Sequence, residues 1–487
     1  MIQLSLAEIA KVVGGTLHGP DAVVTGSVEF DTREIGPGSL FVALPGVRVD
    51  GHDFAAAAIA AGAVGVLAAR PVDGPTVVVP PVDDAHTRSV ALTGDTDGSG
   101  AAVLAALAKL ARHVTDRLVE QGLVVVGVTG SSGKTSTKDL IAHLLEQMGP
   151  TVAPPGSFNN ELGHPWTALR ATADTRYLVL ELSARGPGHI AALCHTVPPS
   201  IGVVLNVGTA HLSEFGSQAA VAQTKGELVE ELPAENGVAI LNLDDPLVAA
   251  MASRTKARVE YFGTHSEATV RAEDVELDEQ ARPSFTLVTA EGRHPVALGL
   301  HGAHHVGNAL AAAAVALNLG ASAEEVAGWL STAGRRSARR MEVTTRPDGV
   351  TVLNDSFNAN PESMSAALKT LATMARAGNP RRRAWAVLGV MGELGDNTVS
   401  AHDEIGRLAV RLDISRLVVV GEQARPMHQG ANLEGSWGEE SVLVPDVEAA
   451  IALLREELRG DDVVLVKASK AAALWRVADA LLEAGTK

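Results

Sequence analysis

The run Thr129-Gly130-Ser131-Ser132-Gly133-Lys134-Thr135 constrains this chain more than any other. An apolar stretch, residues 123–128, precedes it, and apolar residues at helical spacing follow it: Leu140, Ile141, Leu144, Leu145 and Met148. A strand, a glycine-rich turn closing on Gly-Lys-Thr and a helix together make a phosphate-binding loop, because glycines let backbone N–H groups face an anion at a helix N-terminus. Lys134 then reaches the β- and γ-phosphates of a nucleotide, and the Thr135 hydroxyl is offered to Mg²⁺. Thr129, Gly130, Ser131, Ser132, Gly133, Lys134, Thr135 and Ser136 are the candidate nucleotide-binding set. One spacing departs from the general pattern. The leading glycine belongs five residues before Gly133, where Val128 stands, and Gly127 is one position too early.

A chain of 487 residues holds about three domains at roughly 150 residues each. Apolar residues make up 46% of it and aromatic ones only 3%, so its cores should be aliphatic. A net charge of −17 argues against nonspecific binding of nucleic acid or anionic membranes, which needs basic patches; a local basic pocket for phosphates stays compatible with it. A single cysteine, Cys194, excludes an intrachain disulfide and suits a reducing cytosol. Met1-Ile2-Gln3-Leu4-Ser5 lacks the basic and apolar regions of a signal peptide. The most apolar stretch, residues 54–69, is shorter than the roughly 20 residues of a membrane span and reads as a buried helix followed by a strand. A cytoplasmic, monomeric enzyme without membrane insertion or nucleic-acid partners is the expectation.

Patterning divides the chain into three blocks, expected as domains at 1–100, 101–334 and 335–487. The first has short strand and helix patterns and ends in the polar, Gly/Asp-rich residues 93–100, which read as a linker or loop tip. The second opens with a helix near residues 101–120, followed by the phosphate loop and buried-strand candidates at 177–180, 201–205 and 238–241. Strands alternating with helices predict a mostly parallel, helix-covered sheet. Residues 270–298 read as short antiparallel strands. The third block begins after Gly334-Arg335-Arg336-Ser337-Ala338-Arg339-Arg340 and carries strand candidates at 385–388, 417–420 and 463–466. The fold class is α/β throughout.

Three further positions fit a magnesium-dependent ATP enzyme. Glu181 closes the strand at 177–180, and strand carboxyl ends line the ligand crevice of an open α/β sheet. Asn206-Val207-Gly208-Thr209-Ala210-His211 follows the next strand and puts His211 at the same edge. Lys225, within Ala222-Gln223-Thr224-Lys225-Gly226-Glu227 on a predicted helix, reads on its residue type alone as a solvated surface lysine.

These strings together resemble the Mur ligase family, ATP-dependent enzymes that build the peptide stem of peptidoglycan. The family's loop, Thr-Gly-x-x-Gly-Lys-Thr/Ser, accounts for the displaced glycine. The resemblance implies that Glu181 and His211 bind magnesium. It also implies that Lys225 is carbamylated and helps hold a second ion, and that Asn308 contacts adenine. Arg340 and Asp355 would hold ATP from the C-terminal domain. Lys134, Lys225 and His211 form the implied catalytic set, and Thr135, Glu181, His211 and Lys225 the implied metal set. Three strings, Ser157-Phe158-Asn159-Asn160-Glu161-Leu162-Gly163, Asn358-Ala359-Asn360-Pro361-Glu362-Ser363-Met364 and Met391-Gly392-Glu393-Leu394-Gly395, resemble those of the member that adds D-alanyl-D-alanine to UDP-N-acetylmuramoyl-tripeptide. Asp31-Thr32-Arg33 and Asp50-Gly51-His52-Asp53-Phe54 resemble its uridine-nucleotide domain.

The implied architecture is a small N-terminal α/β domain for the UDP-substrate, a central P-loop ATPase domain and a C-terminal Rossmann-like domain for the amine. Thr32, Arg33, Asn159 and Asn160 are the implied UDP-substrate contacts. Phe357, Asn358, Asn360 and Val390 are the implied amine region. Because Arg340 and Asp355 lie in a different domain from Lys134, the site should be complete only on domain closure, with both standing away from the loop before ligands bind. Some positions depart from the family pattern and bear on the amine acceptor. Phe357 replaces a usual tyrosine, Val390 a position that is often polar, and Ser183 a common glycine. Ala472 and Ala473 lie in a segment usually richer in glycine. Two other readings therefore stay open: a paralogous ligase using a depsipeptide or another amine, and a nucleotide-binding regulator without turnover.

Overall fold

Runs of valine, isoleucine and leucine become the inner strands, since a strand buried on both faces needs a continuous apolar run. The computed structural model describes residues 1–46, 49–80, 82, 95, 97–208, 215–435 and 440–484. Its largest sheet has nine strands. In spatial order they are Gly292–Ala297, Pro283–Thr289, Val270–Leu277, Arg258–Gly263, Val238–Asn242, Ile201–Val204, Val124–Thr129, Tyr177–Glu181 and Thr151–Val152. All neighbours pair in parallel except the two hairpin ladders at the Gly292–Ala297 end. The expected antiparallel strands at 270–298 are therefore an extension of the central sheet.

Chain order reverses around Val124–Thr129, which lies between Tyr177–Glu181 and Ile201–Val204. This switch point opens a crevice at the strands' carboxyl ends. Register sets what faces it: Glu181 pairs opposite Val128, and Val204 opposite Thr129. The phosphate-loop helix, Lys134–Met148, buries Leu140, Ile141, Leu144 and Leu145 in the same cluster as the alanine-rich His305–Asn318 helix on one face of the sheet. The Ser99–Val119 helix belongs to the cluster on the other face. Both clusters are overwhelmingly aliphatic, as the composition requires.

The stretch 54–69 folds into the Ala55–Ala60 helix and the Ala63–Ala68 strand, broken by Gly62 at φ +116°. That strand belongs to a five-stranded sheet formed within residues 16–78. The linker reading of 93–100 is corrected at its end: Ser99 and Gly100 already form the first turn of a helix. The acidic residues there are caps, since Asp97 accepts from Ser99 N at 3.0 Å and Asp95 from Ala101 N at 2.8 Å. Carboxylates favour a helix N-terminus because they satisfy its free N–H groups and its positive end. Thr93, Gly94 and Thr96 lie outside the described residues.

A six-stranded sheet follows, ordered Glu342–Thr345, Thr351–Asn354, Val463–Lys467, Ala384–Leu388, Arg416–Val420 and Ser441–Val444. Only the first strand is antiparallel to its neighbour. Sequence reading finds the three inner apolar runs and misses Glu342–Thr345, Thr351–Asn354 and Ser441–Val444. Each missed strand is short and contains polar residues, so no continuous apolar run marks it. Among the described residues no helix is long and apolar enough to cross a membrane.

The Thr398–Arg411 and Arg425–Glu434 helices pack through glycines. A Cβ on Gly406 would lie 1.8 Å from Met427 O, and one on Gly430 would lie 2.2 Å from Asp403 O. Gly→Ala inside a helix ordinarily stabilises by about 1 kcal/mol. Here Gly406→Ala must push two backbones apart, and overpacking costs about 1–3 kcal/mol. The expected result is a lower thermal midpoint, read by calorimetry; a raised midpoint would refute the close-packing account.

Candidate active site

The phosphate loop leaves the middle strand of the central sheet and is tied to both neighbouring strands. Thr129 Oγ1 donates to Leu182 O at 3.0 Å. Asn206, just after the Ile201–Val204 strand, accepts through Oδ1 from Ser131 N and Ser132 N at 3.0 and 2.9 Å. Its Nδ2 donates to Ser132 O at 3.2 Å. Gly133 ends the loop at φ +80°, where a Cβ would lie 2.7 Å from Asn308 Oδ1, so both backbone angle and space require glycine. Lys134 folds over its own loop and donates to Gly130 O at 2.7 Å. Burial lowers its pKa, opposed by Glu181. Ser136 is half-buried in the helix's first turns, and Asn308 is buried opposite the loop.

Glu181 is 1% exposed and carries three side-chain hydrogen bonds. Thr135 Oγ1 donates to Oε2 at 2.9 Å, and Ser157 Oγ and Asn159 Nδ2 donate to Oε1 at 3.0 and 2.6 Å. The surface reading of Lys225 is overturned: it is 5% exposed. Burial, and next the charge of Lys134, hold its pKa well below the ordinary lysine value. The Gln218–Glu230 helix that carries it is fastened at two places. Glu227 accepts from Gly188 N, Ile190 N and Ala191 N at the start of the His189–Thr196 helix. Arg254 donates to Ala222 O and Gln223 O. His211 lies outside the described residues. Among the described residues no three His, Cys, Asp or Glu side chains cluster as a metal cage. A hydroxyl and a single carboxylate beside a phosphate loop are hard oxygen donors, and that set fits Mg²⁺, which keeps waters and shares phosphate oxygens.

The six-stranded unit reaches into this site. Arg340 Nη2 donates to Thr135 Oγ1 at 3.1 Å, and its guanidinium lies 4.1 Å above the Phe357 ring. Its neighbours Arg339 and Met341 adopt φ +58° and +47°, a costly backbone for non-glycine residues. Asp355, beyond the Thr351–Asn354 strand, pairs with the buried Lys467 at 2.5 Å and accepts from Met341 N at 3.0 Å. Asn360 caps the Pro361–Ala377 helix and donates to Ser131 O at 3.3 Å. A Cβ on Gly208 would lie 2.5 Å from Glu362 Oε1. Arg340 of the six-stranded unit thus stands on the phosphate loop in this structure.

The remaining candidates divide. Phe357 lies under Arg340 with Lys470 Nζ 5.9 Å from its ring, and the Asn358 carbonyl accepts from Lys467 at 2.9 Å. Val390 follows the Ala384–Leu388 strand, and its carbonyl accepts from Ser469 N at 2.9 Å. Asn159 is engaged by Glu181 and Ser157, and Asn160 Oδ1 accepts from Gly163 N at 2.9 Å. Thr32 and Arg33 form a short 3₁₀ turn in which Arg33 pairs with Asp31 and holds that carboxyl down at about 2. This turn is brought to the central unit by its preceding residues. Trp166 Nε1 donates to Glu29 at 3.1 Å, and Phe30 and Phe158 pack on the Trp166 ring.

Two departures gain a structural content. Ser183 Oγ donates to Asn159 Oδ1 at 3.1 Å, and Ala473 adopts φ +52°, a conformation glycine takes at lower cost. Sequence reading missed Asn206, Ser157 and Lys467. Each left a signal: Asn206 opens the string after the 201–205 strand, Ser157 opens the string 157–163, and Lys467 ends the apolar run Val463-Val464-Leu465-Val466.

Three family models match successive parts of the chain. Residues 26–115 match the Mur ligase family catalytic domain, 128–316 the Mur ligase middle domain and 339–470 the Mur ligase glutamate ligase domain. The chain is 58% identical to the UDP-N-acetylmuramoyl-tripeptide–D-alanyl-D-alanine ligase of Mycobacterium tuberculosis H37Rv, over 99% of this chain and 98% of that protein. It is 34% identical to the enzyme of that name from Escherichia coli K12, over the full length of both. Among solved structures, a MurF from Acinetobacter baumannii superposes with TM-score 0.82 at 29% identity, covering 98% of each chain. A MurF ligase from Thermotoga maritima in complex with ADP superposes with TM-score 0.76 at 28% identity, covering 95% of this chain and 98% of that one.

Lys134→Ala removes a cation from the loop without emptying a core. Phosphate release from ATP should fall on the order of a hundredfold or more, with the melting temperature unchanged. Near wild-type turnover in a steady-state assay would contradict the assignment of the loop.

Proposed function

Because the chain belongs to the Mur ligase family, we propose that it is the ADP-forming ligase that joins D-alanyl-D-alanine to UDP-N-acetylmuramoyl-tripeptide in cytoplasmic peptidoglycan precursor synthesis. One observation carries the chemical reading: Glu181 and Arg340, from distant segments of the chain, both hydrogen-bond Thr135 beside Lys134, and the buried Lys225 lies within reach of the Lys134 charge. That arrangement suits the meeting of two anions, a substrate carboxylate and a triphosphate.

In this reading an oxygen of the tripeptide's terminal carboxylate attacks the γ-phosphorus of ATP, and the bond to the bridging oxygen breaks to release ADP. The acyl phosphate is then attacked at its carbonyl carbon by the amine of D-alanyl-D-alanine. Phosphate leaves, and the nitrogen loses a proton as the amide forms. Lys134 and Arg340 lie where negative charge grows on the transferred phosphoryl group. Asn308 would contact the adenine, and Asp355, through its bond to Met341 N and its pair with Lys467, would hold the Arg340 segment in place. Two Mg²⁺ ions, held by Thr135, Glu181, His211 and a carbamate on Lys225, would supply further charge neutralisation on the phosphates. Closure keeps water from the acyl phosphate.

The carbamate has a physical basis in this chain. A lysine amine adds CO₂ only in its neutral form, and Lys225 is buried, with its pKa lowered by burial and by Lys134. Addition of CO₂ with loss of a proton turns a potential cation into a carboxylate beside the metal. Residues 1–100 are proposed to bind the UDP-substrate, 101–334 ATP and 335–487 the amine, with Thr32 and Arg33 on the first and Phe357, Asn358, Asn360 and Val390 lining the last.

Two outcomes are expected. Phosphate release should require both UDP-tripeptide and an amine, and kcat/KM should be highest for D-alanyl-D-alanine among that dipeptide, D-alanyl-D-lactate and single amino acids. An advantage of tenfold or more for another amine would replace the acceptor. Lys225→Ala should lose activity and regain part of it in acetate, which returns a carboxylate to the vacated space. No recovery, together with an unmodified lysine by intact-protein mass spectrometry at neutral pH, would remove the carbamate.

A further inference from the structure

Lys138 is a charged residue that the chemistry above leaves unused. It lies one turn beyond Lys134 on the phosphate-loop helix, is 1% exposed, and ranks among the largest fully buried side chains of the protein. A lysine in that position must be held by partners, because an uncompensated buried ammonium is costly. It has two partners. Its Nζ donates to the carboxylate of Asp139 and, at 2.9 Å, to Pro154 O.

Pro154 opens the segment 154–160 between the Thr151–Val152 strand and the Gly163–Ala168 helix. Pro154 and Pro155 have no N–H to anchor their own backbone, and Gly156 follows at φ +69°. The Lys138 bond therefore fastens the entrance of a segment poor in backbone donors. Directly after it come Ser157 and Asn159, the two residues that donate to Oε1 of Glu181. The other oxygen, Oε2, is left to Thr135.

We propose that Lys138 is a positioning residue for the metal site. Its buried ammonium pins Pro154 to the phosphate-loop helix, so that Ser157 and Asn159 keep one Glu181 oxygen occupied and turn the other toward Thr135. The proposal rests on the reading of Glu181 as a magnesium ligand. Lys138 itself touches neither nucleotide nor metal in this scheme; it acts through the 154–160 segment on the direction of one carboxylate.

The test is calorimetric binding of ADP to the full-length protein as a function of Mg²⁺. The variant is Lys138→Met combined with Asp139→Asn, which leaves no unpaired buried charge. The Mg²⁺ concentration for half-maximal enhancement of ADP binding should rise about tenfold or more, the range typical of lost support behind a metal ligand. Metal-free ADP affinity should stay within twofold of wild type. Asn159→Ala should shift the Mg²⁺ dependence in the same direction, and the combined variant should add little to the larger single effect, since both act on one carboxylate. Should the double variant fail to fold, Lys138→Gln is read against the same outcomes. An unchanged Mg²⁺ dependence, or equal weakening with and without metal, would overturn the proposal. Glu181→Ala separates the two levels. If it leaves the Mg²⁺ dependence unaltered, the metal-ligand reading itself fails; if it shifts that dependence and the Lys138 variants do not, only the positioning role fails.

Discussion

Positive charge gathered in a buried space is the constraint on which the rest of this structure depends. Lys134 and Arg340 both feel the charge of Glu181, Lys225 feels that of Lys134, and burial lowers the pKa of all three cations. Such a cluster is electrostatically incomplete without an anion, because like charges in a low-dielectric site repel strongly. A triphosphate completes it from solution, and a carbamate on Lys225 would complete it from within the chain. The arginine that enters from another sheet is compensated on both sides: Arg340 gains a favourable field from Glu181 and Asp139 of the central unit and from Asp355 of its own.

Holding those charges in place demands polar groups that are themselves buried and satisfied. Asn206 clamps the loop, Glu227 caps the neighbouring helix, and Lys467 holds Asp355. None of these is a nucleotide contact in the proposed chemistry. Each fixes the frame in which a contact can be made to a fraction of an ångström, which is what electrostatic catalysis requires of its surroundings. Glu181 shows the arrangement in miniature, with both oxygens occupied by side chains from the phosphate-loop helix and the 154–160 segment.

The N-terminal unit joins this frame by a different kind of contact. Phe30, Phe158 and Trp166 form an aromatic cluster in a protein with few aromatics, and Glu29 receives the Trp166 indole N–H. Phe158 lies between Ser157 and Asn159 in sequence, so the unit proposed to take the UDP-substrate packs on the same segment that orients Glu181. The C-terminal unit reaches the phosphate site through Arg340, Asn360 and Glu362. Both substrates would thus arrive on elements already in contact with the walls of the phosphate site.

The phosphate loop, the alternation of apolar strands and helices, and the identity of Glu181 as a strand-end acid were all legible in the sequence. They are local signals: a seven-residue loop has to be contiguous, and a buried strand has to be an unbroken apolar run. The strands Glu342–Thr345, Thr351–Asn354 and Ser441–Val444 were not legible, since polar residues shorten or interrupt their apolar runs. Nor was the burial of Lys225 or Lys138, because a lysine on a helix looks the same whether its face meets water or another element. Asn206, Ser157 and Lys467 act on groups tens to hundreds of residues away, and Asn159, readable as a substrate contact, also donates to Glu181. Residue type set which chemistry was available. Only the packing of sheets and helices decided which side chains lost their water, and so which charges had to be paired and which were left for a ligand.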